Sequence, residues 1–252
     1  MKLKELYNIL NEKYPTSLSC EWDNDGIMCT SNFDAEVKRV LVALDVTMDT
    51  VKYATENSFD TIISHHPLVF RGQKALTPKS FTQNKLISLI KNNINVLSFH
   101  TRLDAVYGGV NDVLSSLVGL ESVFVDPKDP IGRVGFLKEK LPIKEFALKV
   151  KDILKSNLVL YSGNLDVFKV YVVGGDGKDL IDNAISAGCD TILTGRASYN
   201  TAIDAKDMGL NIIEAGHFFT EHPVCEAIAN EIRELSSECE VAVYNSNQIN
   251  VI

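Results

Sequence analysis

Short apolar runs that end in turns alternate along this chain with segments of helical period, and this alternation constrains the fold more than any other feature. The runs are VKRVLVAL (37–44), DTIIS (60–64), INVLSF (94–99), VFKVYVV (167–173), DTILT (190–194), LNIIEA (210–215) and VAVY (241–244). Each has the length of one strand, and the stretches between them place apolar residues three and four apart. A chain alternating in this way closes helices over mainly parallel sheets, so the expected class is α/β. The segment from Phe124 to Tyr161 is less regular: DPKDP marks a turn, GRVGFLKE a strand, and PIKEFALKVKDILK a helix opened by Pro142. A junction is expected near DPKDP, giving modules over residues 1–125 and 126–252.

The two halves echo each other. FDTIISHH is followed, after a helix, by INVLSFHTRLD; CDTILTGR is followed by LNIIEAGHFFTE. The offset is 130 residues for the Asp-Thr-Ile segments and 116 for the Asn-led strands, so an insertion separates the copies. The pattern reads as a duplicated α/β module, each copy contributing one sheet.

Composition excludes several classes of function. The net charge is -8, with 33 acids against 25 bases and no Lys/Arg-rich run, which leaves no electrostatic footprint for nucleic acid. Five cysteines lie far apart without a CxxC pair, the usage of reduced thiols and of a cytoplasmic protein. The opening MKLKELYNILNEKY is an amphipathic helix with Leu3, Leu6, Ile9 and Leu10 on one face, unlike a signal peptide, and no apolar run reaches membrane-spanning length. No GxSxG elbow is present for a serine hydrolase.

Four of the five histidines fall at three strand ends: His65 and His66 after one, His100 with Asp104 after another, His217 with Glu221 after a third. Ligands of parallel sheets collect at the carboxyl ends of strands, so these residues point to one composite site drawing on both modules. Neighbouring residues of an extended chain face opposite ways, so a histidine pair serves two ions better than one, provided the chain bends at Pro67. Asp104 and Glu221 could bridge ions at the roughly 3.5–4 Å spacing of two-metal hydrolytic sites. His217 and Glu221, four positions apart, share a face if the helix near Thr220 extends back to Gly216; otherwise the FFT turn must bring them together. Imidazole and carboxylate without thiolate suit Zn²⁺, Fe²⁺ or Mn²⁺.

The motifs EWDNDGI, LDVT, ISHHPLVF, HTRLDAVYGGVND, VVGGDG and EAGHFFTE, in this order from Trp22 to Glu221, resemble those of the GTP cyclohydrolase 1 type 2 homologues, the NGG-interacting-factor-three-like family. The resemblance implies a dinuclear site of two divalent ions with ligands His65, His66, Asp104, His217 and Glu221, the carboxylates bridging. It also implies two similar, intertwined α/β/α domains and a ring-shaped homohexamer, in the short form without an inserted middle domain. The activity implied is metal-dependent hydrolysis, with water attacking the imidazole ring carbon of GTP or a related nucleotide. In that reading His100 moves a proton or orients a ligand, and Arg71 and Arg102 hold the triphosphate. Three positions depart from the family pattern: Arg196 stands for an acid, Asn200 for a histidine and Arg102 for an asparagine. The departures at Arg196 and Asn200 favour a rival reading, a ring scaffold that binds metal or a partner without catalysis.

Other residues have structural readings. His222 is a helix-turn residue beside Pro223, GGDG (174–177) a turn, and Trp22 of WDNDG an anchor over the core. Asp45 either faces the site or starts a helix with Thr47.

Overall fold

All seven apolar runs form strands. The computed structural model describes residues 1–252. In chain order the elements are α1 (Leu3–Lys13), β1 (Gly26–Cys29), β2 (Arg39–Ala43), α2 (Met48–Glu56), β3 (Thr61–Ser64), α3 (Phe81–Lys91), β4 (Asn95–Ser98), α4 (Thr101–Ala105), α5 (Val110–Leu117), β5 (Glu121–Asp126) and β6 (Asp129–Pro142). They continue with α6 (Ile143–Leu154), β7 (Leu160–Ser162), β8 (Asp166–Asp176), α7 (Ile181–Ser186), β9 (Thr191–Arg196), α8 (Tyr199–Asp207), β10 (Asn211–Glu214), α9 (His217–Glu221), α10 (Pro223–Leu235) and β11 (Glu240–Tyr244). The fold is mixed α/β with two sheets. No helix is long and apolar enough to cross a membrane.

The chain forms two compact units, Met1–Leu103 with Cys225–Asn247, and Asp104–Val224 with Gln248–Ile252. These bounds differ from the expected division near residue 125 for two reasons of strand pairing. DPKDP closes the hairpin between β5 and β6, with Asp126 opposite Asp129, and so lies inside the second unit. The C-terminal strand β11 pairs in parallel with β2, from Glu240 opposite Arg39 to Tyr244 opposite Ala43, which returns that segment to the first unit.

The first unit holds a five-stranded sheet in the order β1-β4-β3-β2-β11, antiparallel only at β1. Leu41, Ile62 and Val96 pack on one face with Val51 and Ala54 of α2 and Leu89 of α3. Val40, Val42, Ile63 and Leu97, one step out of phase, are also fully buried. Strands covered on both faces read as unbroken apolar runs, and each such side chain stabilises the fold by about 1.5–3 kcal/mol. Helix starts are fixed locally: the Thr47 hydroxyl accepts from the Thr50 amide before α2, and the Ser80 hydroxyl from Gln83 before α3.

The second unit holds a six-stranded sheet in the order β5-β6-β8-β9-β10-β7, parallel from β8 through β10 and antiparallel outside. Val170, Val172, Leu193 and Ile213 pack with α5 and α6 through Leu114, Phe146 and Val150. Tyr171, Val173, Ile192 and Ile212 pack with α7 and α8 through Ala184 and Ala205. The alternation places three layers, α/β/α, in this unit.

One local arrangement occurs in both units. The Asp60 carboxylate accepts from the Lys38 and Arg39 amides at 2.8 and 2.9 Å, and Asp190 accepts from Phe168 and Lys169 at 3.0 and 2.8 Å. Thr61 and Thr191 donate their hydroxyls to the preceding aspartate. The Asn95 amide donates to the Asp60 carbonyl, and the Asn211 amide to that of Asp190. The order β1-β4-β3-β2 corresponds to β7-β10-β9-β8. The expected repeat of an α/β module is consistent with this correspondence.

Candidate metal centre

Strand β3 ends at Ser64 and delivers two histidines into the turn before Pro67. The Ser64 hydroxyl bonds the His66 carbonyl at 2.8 Å, closing the bend that the sequence requires. His65 is fully buried and its Nδ1 lies 3.0 Å from the Phe99 carbonyl. A carbonyl only accepts, so His65 carries its proton on Nδ1. His66 Nδ1 lies 2.8 Å from Asp45 Oδ1, and His100 Nδ1 lies 2.8 Å from Asp23 Oδ1. All three imidazoles therefore commit Nδ1–H to an acceptor, which leaves Nε2 as the lone-pair atom of each neutral ring. Their donor atoms lie within 4.8 Å of one another. Imidazoles held through the far nitrogen by carboxylate or carbonyl are the arrangement that fixes tautomer and orientation in metal sites. The donor set of the first unit fits a divalent ion on its own chemistry.

The second unit carries the acids. Helix α9 does extend back to Gly216, and this sets His217 Nε2 2.9 Å from Glu221 Oε2. Glu221 is buried, whereas His217 is exposed. Asp104, buried in α4, offers a carboxylate oxygen within 4.8 Å of one on Glu221.

Two glycines admit α9 to this position. Gly175, at φ +67°, is the second residue of GGDG, whose first three residues close β8 rather than form a separate turn. A Cβ on Gly175 would stand 2.2 Å from Glu221 Oε1. A Cβ on Gly195 would stand 2.6 Å from the Gly175 carbonyl and 2.7 Å from His217 Cα, so the helix lies directly on the end of β9. Thr220 ties the two together: its hydroxyl accepts from the Gly175 amide at 3.2 Å and lies 2.9 Å from the His217 carbonyl.

The WDNDG segment departs most from its expected role. Asp23 accepts from His100 Nδ1, from the Thr101 amide at 3.0 Å and from the Thr101 hydroxyl at 2.6 Å. Burial alone would raise its pKa, but the bonds from His100 and Thr101 hold the carboxyl well below the usual range, so it is ionised at neutral pH. Asp25 accepts from the His100 amide at 3.1 Å. Trp22 does not anchor over the core: it is 62% exposed. Near Asp45, Lys85 has its pKa lowered by burial, a shift that Asp45 opposes.

Arg102 cannot serve as expected. Its side chain is buried, with Nε and Nη2 on the two Asp25 oxygens at 2.8 and 2.6 Å and Nη1 on Asn11 Oδ1 and the Tyr14 carbonyl at 2.7 and 3.0 Å. A guanidinium so occupied has no donors to offer a phosphate. Arg71 lies exposed in the loop after β3, Arg196 is exposed at the end of β9, and Asn200 is exposed in α8. His222 stacks on Phe218, with ring centroids 4.5 Å apart.

Comparison with known proteins places the chain in a family. The family model described as Duf34/NIF3 (NGG1p interacting factor 3) matches residues 1–250, and the chain belongs to that family. A "GTP cyclohydrolase 1 type 2 homolog" of Clostridium perfringens is 36% identical over 252 residues, covering 96% of each chain. Among solved structures, reduced HcgD from Methanocaldococcus jannaschii is 28% identical with a TM-score of 0.84, covering 96% of this chain and 97% of its own. A Bacillus cereus protein related to NIF3 has a TM-score of 0.92 at 22% identity, covering 100% and 99%, and bears on the fold alone.

Proposed function

We propose that this chain is a metal-dependent hydrolase that holds two divalent ions, zinc, iron or manganese, through His65, His66, Asp104, His217 and Glu221. The observation that carries the reading is the anchoring of Nδ1 in all three imidazoles of the first unit. When bound, a pair of divalent ions supplies an acidified water near neutral pH and polarises the bond under attack. The chain's own residues fix what the site presents. Phe99 and Asp45 hold the rings of His65 and His66 in one tautomer, Asp23 does the same for His100, and Thr220 with Gly175 seats α9. His100 moves a proton or orients its neighbours. The substrate is a nucleotide or a related phosphorylated compound; the name of the Clostridium perfringens relative makes GTP the first to test. Arg71, exposed beside the histidines' loop, is the cation left to meet phosphate.

The assembly in this reading is a homohexameric ring. Edge strand β7 supports self-association, since Leu160 and Tyr161 are exposed on it. All five cysteines are thiols, which supports a cytoplasmic setting.

Metal content of purified protein, measured by plasma mass spectrometry, should approach two ions per chain. His66→Ala should lower that content and abolish turnover of a nucleotide panel while circular dichroism is unchanged. A second reading, a non-catalytic metal-binding or partner-binding ring, draws on Arg196 and Asn200, which replace an acid and a histidine of the resembling family pattern. Two ions per chain without turnover of any nucleotide would favour it, and metal-free protein after loading would refute the hydrolase and the metal-binding form of the ring, leaving only a partner-binding one.

A further inference from the structure

The chain has one tryptophan, and it is held rigidly in the open. Trp22 occupies a turn closed by the Asp23 amide on the Cys20 carbonyl at 2.9 Å. Both ends of the turn are fixed: the Cys20 amide donates to the Thr101 hydroxyl at 2.9 Å, and Asp23 is fastened to His100 and Thr101. Asn24 donates its side-chain amide to the Val69 carbonyl, which latches the loop bearing Phe70 to the same turn. Phe70 is 46% exposed, its ring centroid 6.1 Å from that of Trp22 at 56°; His100 approaches Trp22 at 6.1 Å and 74°. Neither neighbour stacks on the indole.

Tryptophan is on average a highly buried residue, so one left exposed on a fastened turn is an informative exception. We propose that Trp22 and Phe70 form a stacking platform for a planar heteroaromatic ring, such as a nucleobase, carried by the molecule that reaches His100. This rests on the reading of the histidine cluster as a reaction centre and names the class of ligand it receives. Flat, pre-oriented aromatic faces gain most from another flat π-surface, because stacking needs no enclosing groove and little ordering on binding. The charged neighbours in sequence, Glu21 before Trp22 and Arg71 after Phe70, are both exposed, so the platform is framed by both signs and selects for ring shape rather than for a cation.

Because Trp22 is the sole tryptophan, its emission, excited at the red edge to exclude tyrosine, reports the platform directly. The metal-loaded full chain is titrated with GTP, ATP, guanosine, inorganic tripolyphosphate, ribose 5-phosphate and tetramethylammonium. Saturable quenching by the ring compounds and none by tripolyphosphate or ribose 5-phosphate is expected. In Trp22→Ala, equilibrium dialysis should show the dissociation constant for the best ring compound raised about tenfold, with Trp22→Phe intermediate, as loss of one stacked base predicts. Circular dichroism and metal content should match the wild type. Quenching by tetramethylammonium alone, emission that follows protein concentration rather than ligand, or no response to any ring compound would each overturn the platform. Metal content in the same samples separates the two readings: loaded protein without ring quenching defeats the platform alone, and ring quenching in protein that takes up no metal defeats only the metal centre.

Discussion

Gly175→Ala should weaken metal binding by displacing one side chain, and a second glycine separates that effect from backbone strain. Gly175 (φ +67°) and Gly188 (φ +68°) share a left-handed backbone, but a Cβ on Gly188 would find only Lys169 Nζ, at 3.8 Å. Alanine at either site costs about 1–2 kcal/mol of conformational strain. In a chain of this size that lowers Tm by about 2–8 °C. At Gly175 the new Cβ also stands 2.2 Å from Glu221 Oε1 and 3.3 Å from His217 Cε1. Non-bonded atoms settle near ~3.5 Å, so the carboxylate must retreat by about 1 Å, beyond the ~0.5 Å tolerance of a binding constellation. The end of a glutamate moves cheaply, so the added cost falls on coordination rather than on folding. Metal-free Gly175→Ala and Gly188→Ala should therefore melt alike. Titration with Zn²⁺ against a competing chelator should show Gly188→Ala binding as the wild type does. Gly175→Ala should bind about 10–100-fold more weakly, the range for disturbing a ligand's supports. Wild-type affinity in Gly175→Ala, with its melting lowered no more than in Gly188→Ala, would refute the assignment of Glu221 as a ligand.

Three further outcomes follow from buried charge. Asp23→Asn should cost about 2–3 kcal/mol at pH 7, as expected for charge-assisted bonds from His100 and Thr101. Because the folded pKa of Asp23 is depressed, its stabilisation is complete above the unfolded value near ~3.9 and fades as pH falls below it, so the variant and wild type should converge in urea melts taken in acid. Arg102→Asn should destabilise by about 3–5 kcal/mol, since it leaves the buried Asp25 without its cation; a change under about 1 kcal/mol by urea titration would contradict the saturated geometry. Burial pushes the Cys189 thiol up to about 12, so native protein at pH 8 should resist iodoacetamide at Cys189 until denaturant is added, as peptide mass mapping would register.

What could be read from the sequence divides by distance along the chain. His65 and His66 were visible because they interrupt a doubly buried strand, and His217 with Glu221 because one helical turn relates them. The acceptors that orient the histidines were not. Asp23 stands 77 positions before His100, inside a segment whose tryptophan suggested only an anchor over the core. Arg102 looked like a phosphate ligand because its type suits phosphate; only the fold reveals that Asp25 and Asn11 occupy it. The boundaries of the units depend on β11 joining β2, a pairing across about 200 residues that no local pattern announces. β1, β5 and β7 were missed for a related reason: all three lie at sheet edges, where burial is partial and the apolar signal is brief.

The two similar modules differ in donors, and the difference has a steric cause. In the first unit, β3 passes from Ser64 into His65, whose ring finds the Phe99 carbonyl. In the second, β9 passes from Thr194 into Gly195, and a side chain there would collide with the Gly175 carbonyl and with His217 Cα. Backbone cannot withdraw as a side-chain tip can, so the strand end that bears a histidine in one unit must be bare in the other. The turn before the following helix shows the converse. It holds His100 in the first unit and Gly216, at φ +89°, in the second. Close seating of α9 thus removes imidazoles from the strand and turn of the second unit and moves its donors onto the helix, as His217 and Glu221. Placing histidine at position 195 would not create a second histidine pair, because it would unseat the helix that carries the acid.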